Sequence, residues 1–306
     1  LSDSHNVRPA RLPPPVEPGD RVGVAALSGP VDPGRLEAGL EALRQLGFEP
    51  VEARNLHQRS GLFAGSDAER LAAFHELAAD PDLRAILFAR GGHGLLRLLP
   101  AIDWQLLGRH PKAYVGYSDL TPFLNLVVER LGLVAFHGPM VAADLARGLD
   151  ERERESFLGA LRGDYPEHFP LAPPSSDGEA EGILRGGCLS LVTSALGTPY
   201  AQDLRGALLV LEDVAEPLYR IDRMLTHLRL SGTLSRLGGL IFGHLSDTRP
   251  EAGGPPMAEV LQAMAEGVAP AIATGLEVGH ESPNLTLPLG LAGRLDSEAE
   301  RLIVGP

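Results

Sequence analysis

The chain has 306 residues, 44% of them hydrophobic, which suffices for one large α/β domain or two domains with a sizeable core. Its 40 acidic against 27 basic residues give a net charge of −13, and no basic cluster is interleaved with aromatics, so nucleic acid is not expected as a partner. The apolar runs stop well short of the roughly 20 residues a bilayer requires, so no membrane span is expected.

At the start, residues 1–20 contain "RLPPPVEPG" and read as a stiff, exposed and flexible N-terminal arm. They lack a basic stretch followed by an apolar one, so no secretory signal is expected, although the missing initiator Met leaves a processed start open. From residue 21 two kinds of segment alternate. "RVGVAAL" (21–27), "RAILFAR" (84–90), "KAYVGYS" (112–118) and "LVAFHG" (133–138) are short, β-branched or aromatic and bounded by turn residues, as buried parallel strands are. Between them "GRLEAGLEALRQLG" and "DAERLAAFHELAAD" repeat apolar residues at helical spacing. A βαβα order predicts a parallel sheet layered with helices across a first domain, 21–161.

Residues 162–181, "RGDYPEHFPLAPPSSDGEAE", have no apolar period and read as a linker. The second domain, 182–306, continues with a strand at 206–213, an amphipathic helix at 219–232, the strand "GGLIFG" and a helix over 256–268. A strand-like "AIATGLEVGH" (271–280) and two strands joined by a polar turn (291–305) complete it. The single cysteine, Cys188, cannot form an intrachain disulfide and suits a reducing compartment, so a cytoplasmic location is expected.

Ligands of doubly wound sheets bind beyond the carboxyl ends of the strands, where Ser118, Glu212 and His280 are all expected. A serine needs a base to take its proton, commonly a histidine oriented by a carboxylate. "VGYSDL" supplies a turn glycine and a helix start but not the second glycine of G-x-S-x-G, and the local sequence alone favours Ser118 as a helix N-cap. Glu212 reads equally as a helix cap or an ion-pair partner of Arg220 or Arg223, and His280 as a turn histidine. "RGGHG" (90–94) offers backbone N–H groups to an anion, but neither the P-loop nor the dinucleotide spacing is present. No H-E-x-x-H or paired cysteine motif occurs among the ten histidines and one cysteine, so neither a metal nor another cofactor is expected.

Together, "RVGVAALSGPV", "LFAGSDAERLAAF", "AILFARGGHGLLRLLP", "AYVGYSDLTPF", "FHGPM", "GGCLSLVTSALGTPY", "LEDVAEPLYRIDRML" and "GHESPNLTLPLG" resemble, in order, the LD-carboxypeptidase family of serine peptidases. That family includes murein tetrapeptide carboxypeptidases and microcin C immunity peptidases. The resemblance implies a flavodoxin-like or amidotransferase-like N-terminal sheet and a C-terminal α/β domain supplying Glu and His, in a cytoplasmic homodimer. It implies Ser118 as nucleophile, Glu212 and His280 as its partners, and the backbone N–H groups of Gly92 and Asp119 as oxyanion hole. The implied reaction is release of C-terminal D-Ala from murein tetrapeptide during peptidoglycan recycling. Alternatives are cleavage of peptidyl or aminoacyl nucleotides, and a non-catalytic peptide-binding module.

Two departures from the family pattern stand out. His93 replaces the commoner tyrosine of R-G-G-Y-G, and Cys188 stands where a small polar residue is usual; Cys188 is expected to be packed rather than reactive. A terminal carboxylate calls for a guanidinium or backbone N–H groups, with Arg90, Arg220 and Arg223 as candidates. No stacking aromatic for a nucleobase can be picked, since Trp104 is expected to pack at a helix start.

Overall fold

A computed structural model of the chain describes residues 9–166, 168–172, 179–248, 257–265, 271–296 and 299–305. The first half runs β1 (Arg21–Ala25), α1 (Pro33–Gln45), β2 (Glu49–Glu52), α2 (Asp67–Ala79), β3 (Leu83–Phe88), α3 (Trp104–Arg109), β4 (Ala113–Gly116), α4 (Thr121–Leu131), β5 (Ala135–His137) and α5 (Glu151–Arg162). The second half follows with β6 (His168–Pro170), β7 (Glu179–Cys188), α6 (Leu189–Ala195), β8 (Ala207–Val214), α7 (Leu218–Leu230), β9 (Gly239–Ser246), α8 (Met257–Ala265), β10 (Ile272–Ala273), β11 (Leu287–Leu289), β12 (Ala292–Asp296) and β13 (Arg301–Gly305).

The first sheet has the order β11-β5-β4-β3-β1-β2, with β1 to β5 parallel. Its parallel part is the flavodoxin-like 2-1-3-4-5 order, whose switch point lies between β1 and β3. Helices cover both faces, so β3 and β4 are buried nearly throughout and show no polar alternation. Around α2, β3, β4 and α4 the rings of Phe74, Phe88, Tyr114 and Phe123 pack edge to face, Tyr114 and Phe123 at 5.3 Å between centroids. Four helices of this half, α1, α2, α3 and α5, start at side-chain caps. Asp32 accepts from the Arg35 N–H before α1, and Ser66 with Glu69 forms a reciprocal capping box before α2.

The second sheet has the order β10-β9-β8-β7-β12-β13-β6, parallel from β7 to β10 and antiparallel elsewhere. The mixed α/β architecture expected from the sequence is present.

Three stretches differ from the sequence reading. The expected linker contains edge strand β6 and the first residues of β7; Phe169, fully buried, anchors β6 between exposed His168 and Pro170. A lone anchor leaves no period to read, and an edge position tolerates the proline. Residues 167 and 173–178 of that stretch lie outside the described residues. Of the expected flexible arm, residues 1–8 also lie outside them, but from residue 10 the chain is fastened. The Ala10 N–H donates to Gly290 O at 2.8 Å, Arg11 bridges Leu133, and Val16 is buried with its N–H on Leu161 O. Finally, β11 leaves the second half and pairs antiparallel with β5, closing the edge of the first sheet.

Side chains also join the halves. Asn125 of α4 accepts from the Gly186 N–H at 3.0 Å and donates to Gly186 O at 2.7 Å, while Thr121 Oγ1 accepts from the Cys188 N–H at 3.0 Å. Cys188 pairs with Glu212 across β7 and β8. The helix that starts behind Ser118 is thereby tied to the strand that carries Glu212.

Candidate active site

Ser118 follows β4 by two residues, and its backbone takes the left-handed region, φ +62°. A non-glycine residue there is strained by roughly 1–3 kcal/mol, which the surrounding fold must sustain. The short turn of 3-10 helix at Ser118–Leu120 and then α4 begin directly after it. Neither has a side-chain cap, and the Ser118 hydroxyl makes no hydrogen bond among the described residues. The N-cap reading of Ser118 is therefore set aside; the turn presents the hydroxyl rather than consuming it. Close neighbours must be small: a Cβ on Gly91 would meet Ser118 Cβ at 2.8 Å and Oγ at 2.9 Å.

The "RGGHG" loop lies against this turn. Gly91 O accepts from the Gly29 N–H and from Arg90 Nε, each at 3.2 Å. In a trans peptide the next N–H points the opposite way, so the Gly92 N–H is turned away from those donors, and it has no partner among the described residues. Gly92 has φ +118°, which a side chain would strain. The Asp119 N lies 3.3 Å from where a Gly91 Cβ would stand. The Asp119 side chain accepts from Ser28 Oγ at 2.6 Å and from the Leu95 N–H at 2.9 Å, binding together the ends of β1, β3 and β4. Buried Arg70 supports the loop from below, donating to Leu27 O and Gly94 O.

From the other half, Glu212 is fully buried at the carboxyl end of β8, and its Oε2 lies 2.7 Å from His280 Nδ1. Gly279, at φ +127°, makes room for it: a Cβ there would stand 2.8 Å from Glu212 Oε2. Nδ1–H bound to the carboxylate leaves Nε2 with a free lone pair. Burial alone would push the His280 imidazole down, but the hydrogen bond and charge of Glu212 outweigh it and raise its pKa above the ordinary histidine value. His280 is not at a strand end as expected. β10 is only Ile272–Ala273, and the histidine lies in a loop beyond it, led along β9 by Leu276 N–H on Phe242 O and His244 N–H on Val278 O. "AIATGLEVGH" has strand composition, but glycines with φ +76° at Gly275 and +127° at Gly279 turn it out of the sheet.

Ser118 and His280 line one cavity of about 210 Å³ together with Gly91, Gly92 and Tyr117. Larger cavities, about 440 and 670 Å³, lie elsewhere and contain none of the expected site residues. Two family models match the halves that build this cavity: the LD-carboxypeptidase N-terminal domain over residues 22–138 and the LD-carboxypeptidase C-terminal domain over residues 181–295. The chain belongs to the LD-carboxypeptidase family. It is accordingly a hydrolase of carboxypeptidase type. A probable murein peptide carboxypeptidase of Bacillus subtilis is 35% identical, covering 94% of this chain and 92% of that one. The muramoyltetrapeptide carboxypeptidase of Oxalobacter formigenes superposes with a TM-score of 0.83 at 30% identity, over 94% of this chain and 99% of that one. The Escherichia coli microcin C7 self-immunity protein is 27% identical over 95% of this chain and 94% of its own. A structure of that immunity protein with glutamyl sulfamoyl guanosine has a TM-score of 0.87, at 25% identity over 96% and 98% of the two chains.

Within this member of the family, the two departures from pattern lie off the cavity. His93 stacks on Phe63 at 5.8 Å, exposed to solvent. Cys188 is buried, with Sγ 3.2 Å from Ser190 Oγ, and burial pushes its thiol pKa well up, as suits a packed residue. Trp104 packs at the start of α3, stacked on Phe123. Arg220 pairs with Glu216 at 2.9 Å and Arg223 lies over the Tyr219 ring, so of the three candidate arginines only Arg90 reaches the cavity. Among the described residues no helix is long and apolar enough to cross a membrane.

Three contributors escaped the sequence reading. Tyr117 sets its ring edge to face on His280 at 4.8 Å, which limits how the imidazole can tilt. The Asp119 carboxylate, considered only for its backbone N–H, holds the loop. Glu153 of α5, fully buried, accepts from the Asn284 N–H at 2.8 Å, Ser282 Oγ at 3.2 Å and Arg147 Nη2 at 2.8 Å, pinning the segment after His280 to the first half. Asp150-x-x-Glu153 is a legible capping box, and both of its bonds form. Its second role depends on residues some 130 positions away, for which the sequence carries no local signal.

Proposed function

We propose that the protein is a serine LD-carboxypeptidase that removes the C-terminal D-Ala of murein tetrapeptide. The observation that carries this is the shared cavity: an uncapped, strained Ser118 from one half and His280, held on buried Glu212, from the other.

In this reading His280 Nε2 takes the proton of Ser118 Oγ as the oxygen attacks the carbonyl carbon preceding D-Ala. The N–H groups of Gly92 and Asp119 receive the oxyanion, each such donor being worth about 3 kcal/mol. His280 passes the proton to the departing amine, the C–N bond breaks and D-Ala leaves. Water, deprotonated by His280, then attacks the acyl-serine ester, and Ser118 recovers its proton as the carboxylate product forms. Nε2 must come within about 3 Å of the hydroxyl during the reaction, a contact that tightens when substrate fills the site. Glu212 fixes the tautomer and favours the imidazolium that forms in each step. A homodimer in a reducing, cytoplasmic compartment belongs to the same reading, the latter supported by a lone, buried cysteine.

The test is D-alanine release from purified murein tetrapeptide. Ser118→Ala is expected to lower kcat by at least about 10⁴-fold while leaving the fold intact, and excess chelator is expected to leave the native rate unchanged. No release by native protein, combined with hydrolysis of a glutamyl sulfamoyl nucleoside, would transfer the site to the immunity-type reaction. Chelator-sensitive release would remove the serine mechanism.

A further inference from the structure

The cavity that holds Ser118 is lined by two guanidinium groups against a single carboxylate, that of Asp32. Arg90 follows β3 and Arg35 lies in the first turn of α1, and both line the cavity with Gly92 and His280. Neither forms an ion pair among the described residues. Arg90 is held by backbone carbonyls instead: Nε donates to Gly91 O and Nη1 to Pro30 O, each at 3.2 Å. Its Nη2 is left free beside Gly92, 3.6 Å from where a Cβ on that glycine would stand. Arg35 reaches only Ala143 O, at 3.5 Å. Asp32, the acid on the same wall, caps α1, accepting from the Arg35 N–H at 2.9 Å, and forms no ion pair with either guanidinium, so the lining keeps two cations against one carboxylate.

A carboxypeptidase differs from an endopeptidase in reading the negative end of the chain. In the substrate the terminal carboxylate carbon is three bonds from the scissile carbonyl carbon, hence within about 4 Å of it. Its receptor must therefore share the nucleophile's cavity, which Arg220 and Arg223 do not. A fork already fixed by two carbonyls loses little freedom on binding, and guanidinium with carboxylate makes charge-assisted paired hydrogen bonds. The cavity, at about 210 Å³, is smaller than the roughly 300 Å³ at which sites for larger ligands begin, so it suits a small terminal residue rather than an internal segment.

Resting on the carboxypeptidase reading above, we propose that Arg90, with Arg35 as the second cation, receives the α-carboxylate of the departing D-residue. Arg90 also holds the carbonyl of Gly91, whose peptide bears the Gly92 N–H. Occupation by a carboxylate thus steadies the loop expected to meet the oxyanion, joining recognition of the chain end to catalysis.

The experiment compares kcat/KM on a tetrapeptide ending in free D-Ala with kcat/KM on the same peptide ending in D-Ala carboxamide. For native protein the free acid is expected to be preferred by about 100-fold, the scale of losing a hydrogen-bonded charge partner. Arg90→Gln is expected to collapse that preference to below about 10-fold, Arg90→Lys to restore part of it, and Arg35→Gln to reduce it by about 5-fold. Equal losses on both substrates in Arg90→Gln would overturn the proposal, since loosening of the Gly91 and Pro30 carbonyls alone has that effect. An unchanged preference in both glutamine variants would overturn it too, as would a native enzyme indifferent to amidation. Native protein that releases neither D-Ala from the free acid nor D-alaninamide from the carboxamide would instead overturn the carboxypeptidase reading.

Discussion

The two loops that carry the proposed nucleophile and base are built by different means. The Ser118 turn is rigid through its own backbone: a left-handed residue between β4 and α4, packed against Gly91 and bound to neighbouring strand ends by Asp119. The His280 loop has little regular structure of its own. It is held by side chains it does not own, Glu212 and Glu153, the second from the opposite half of the molecule. Positioning of the nucleophile is thus local, whereas positioning of the base depends on the contact between the halves.

This contrast can be attacked on the base side first. Glu212→Gln keeps the shape but removes the charge and is expected to lower kcat by about 10³–10⁴-fold, as loss of an orienting carboxylate does elsewhere. The pH profile gives a sharper signature. Only neutral His280 can accept the serine proton, so native kcat/KM is expected to rise with pH through a midpoint above the ordinary histidine value of about 6.5. In Glu212→Gln burial is opposed only by the more weakly acting charges of Asp213 and Asp144, so the midpoint is expected to move to lower pH. A midpoint that stays put would show that Glu212 does not govern the imidazole.

Breaking the latch between halves is expected to have a smaller effect. Glu153→Gln retains one acceptor but loses charge-assisted bonds to Arg147 and to the His280 loop, so kcat is expected to fall about 10-fold and stability to chemical denaturant by about 2 kcal/mol. KM for the free-acid substrate should change little, because Arg35 in α1 and Arg90 after β3 make no contact with Glu153 among the described residues. The smallest effect is expected at His93→Tyr. That ring stacks on Phe63 outside the cavity, so D-alanine release should remain within about threefold of native.

Much of the first half was legible because its strands are continuous apolar runs and most of its helices announce their caps, as at Asp32 and Ser66. Ser118 and Glu212 were legible as positions at strand ends, and their pairing with His280 as a resemblance rather than from spacing. The base loop was harder. Its path after β10 follows from two positive-φ glycines and from partners distant in sequence, neither of which leaves a periodic trace. The stretch 162–181 misled for a related reason, since one buried Phe169 in a proline-rich context does not look like a strand. Arg90 could be named as one of three candidates, but only the cavity distinguishes it, because Arg220 and Arg223 have partners on their own helix or next to it.

The return of β11 to the first sheet also bears on how the enzyme comes into being. Leu287–Leu289 pairs with β5, and Thr286 and Asn284 just before it bond to Ser156 and Glu153 of α5. On a ribosome, the edge of the sheet that presents Ser118 stays open until Leu287–Leu289 has emerged, after the segment that carries His280. The strand that closes the sheet of Ser118 follows His280 in the chain, so closing that edge also brings the histidine segment against the first half.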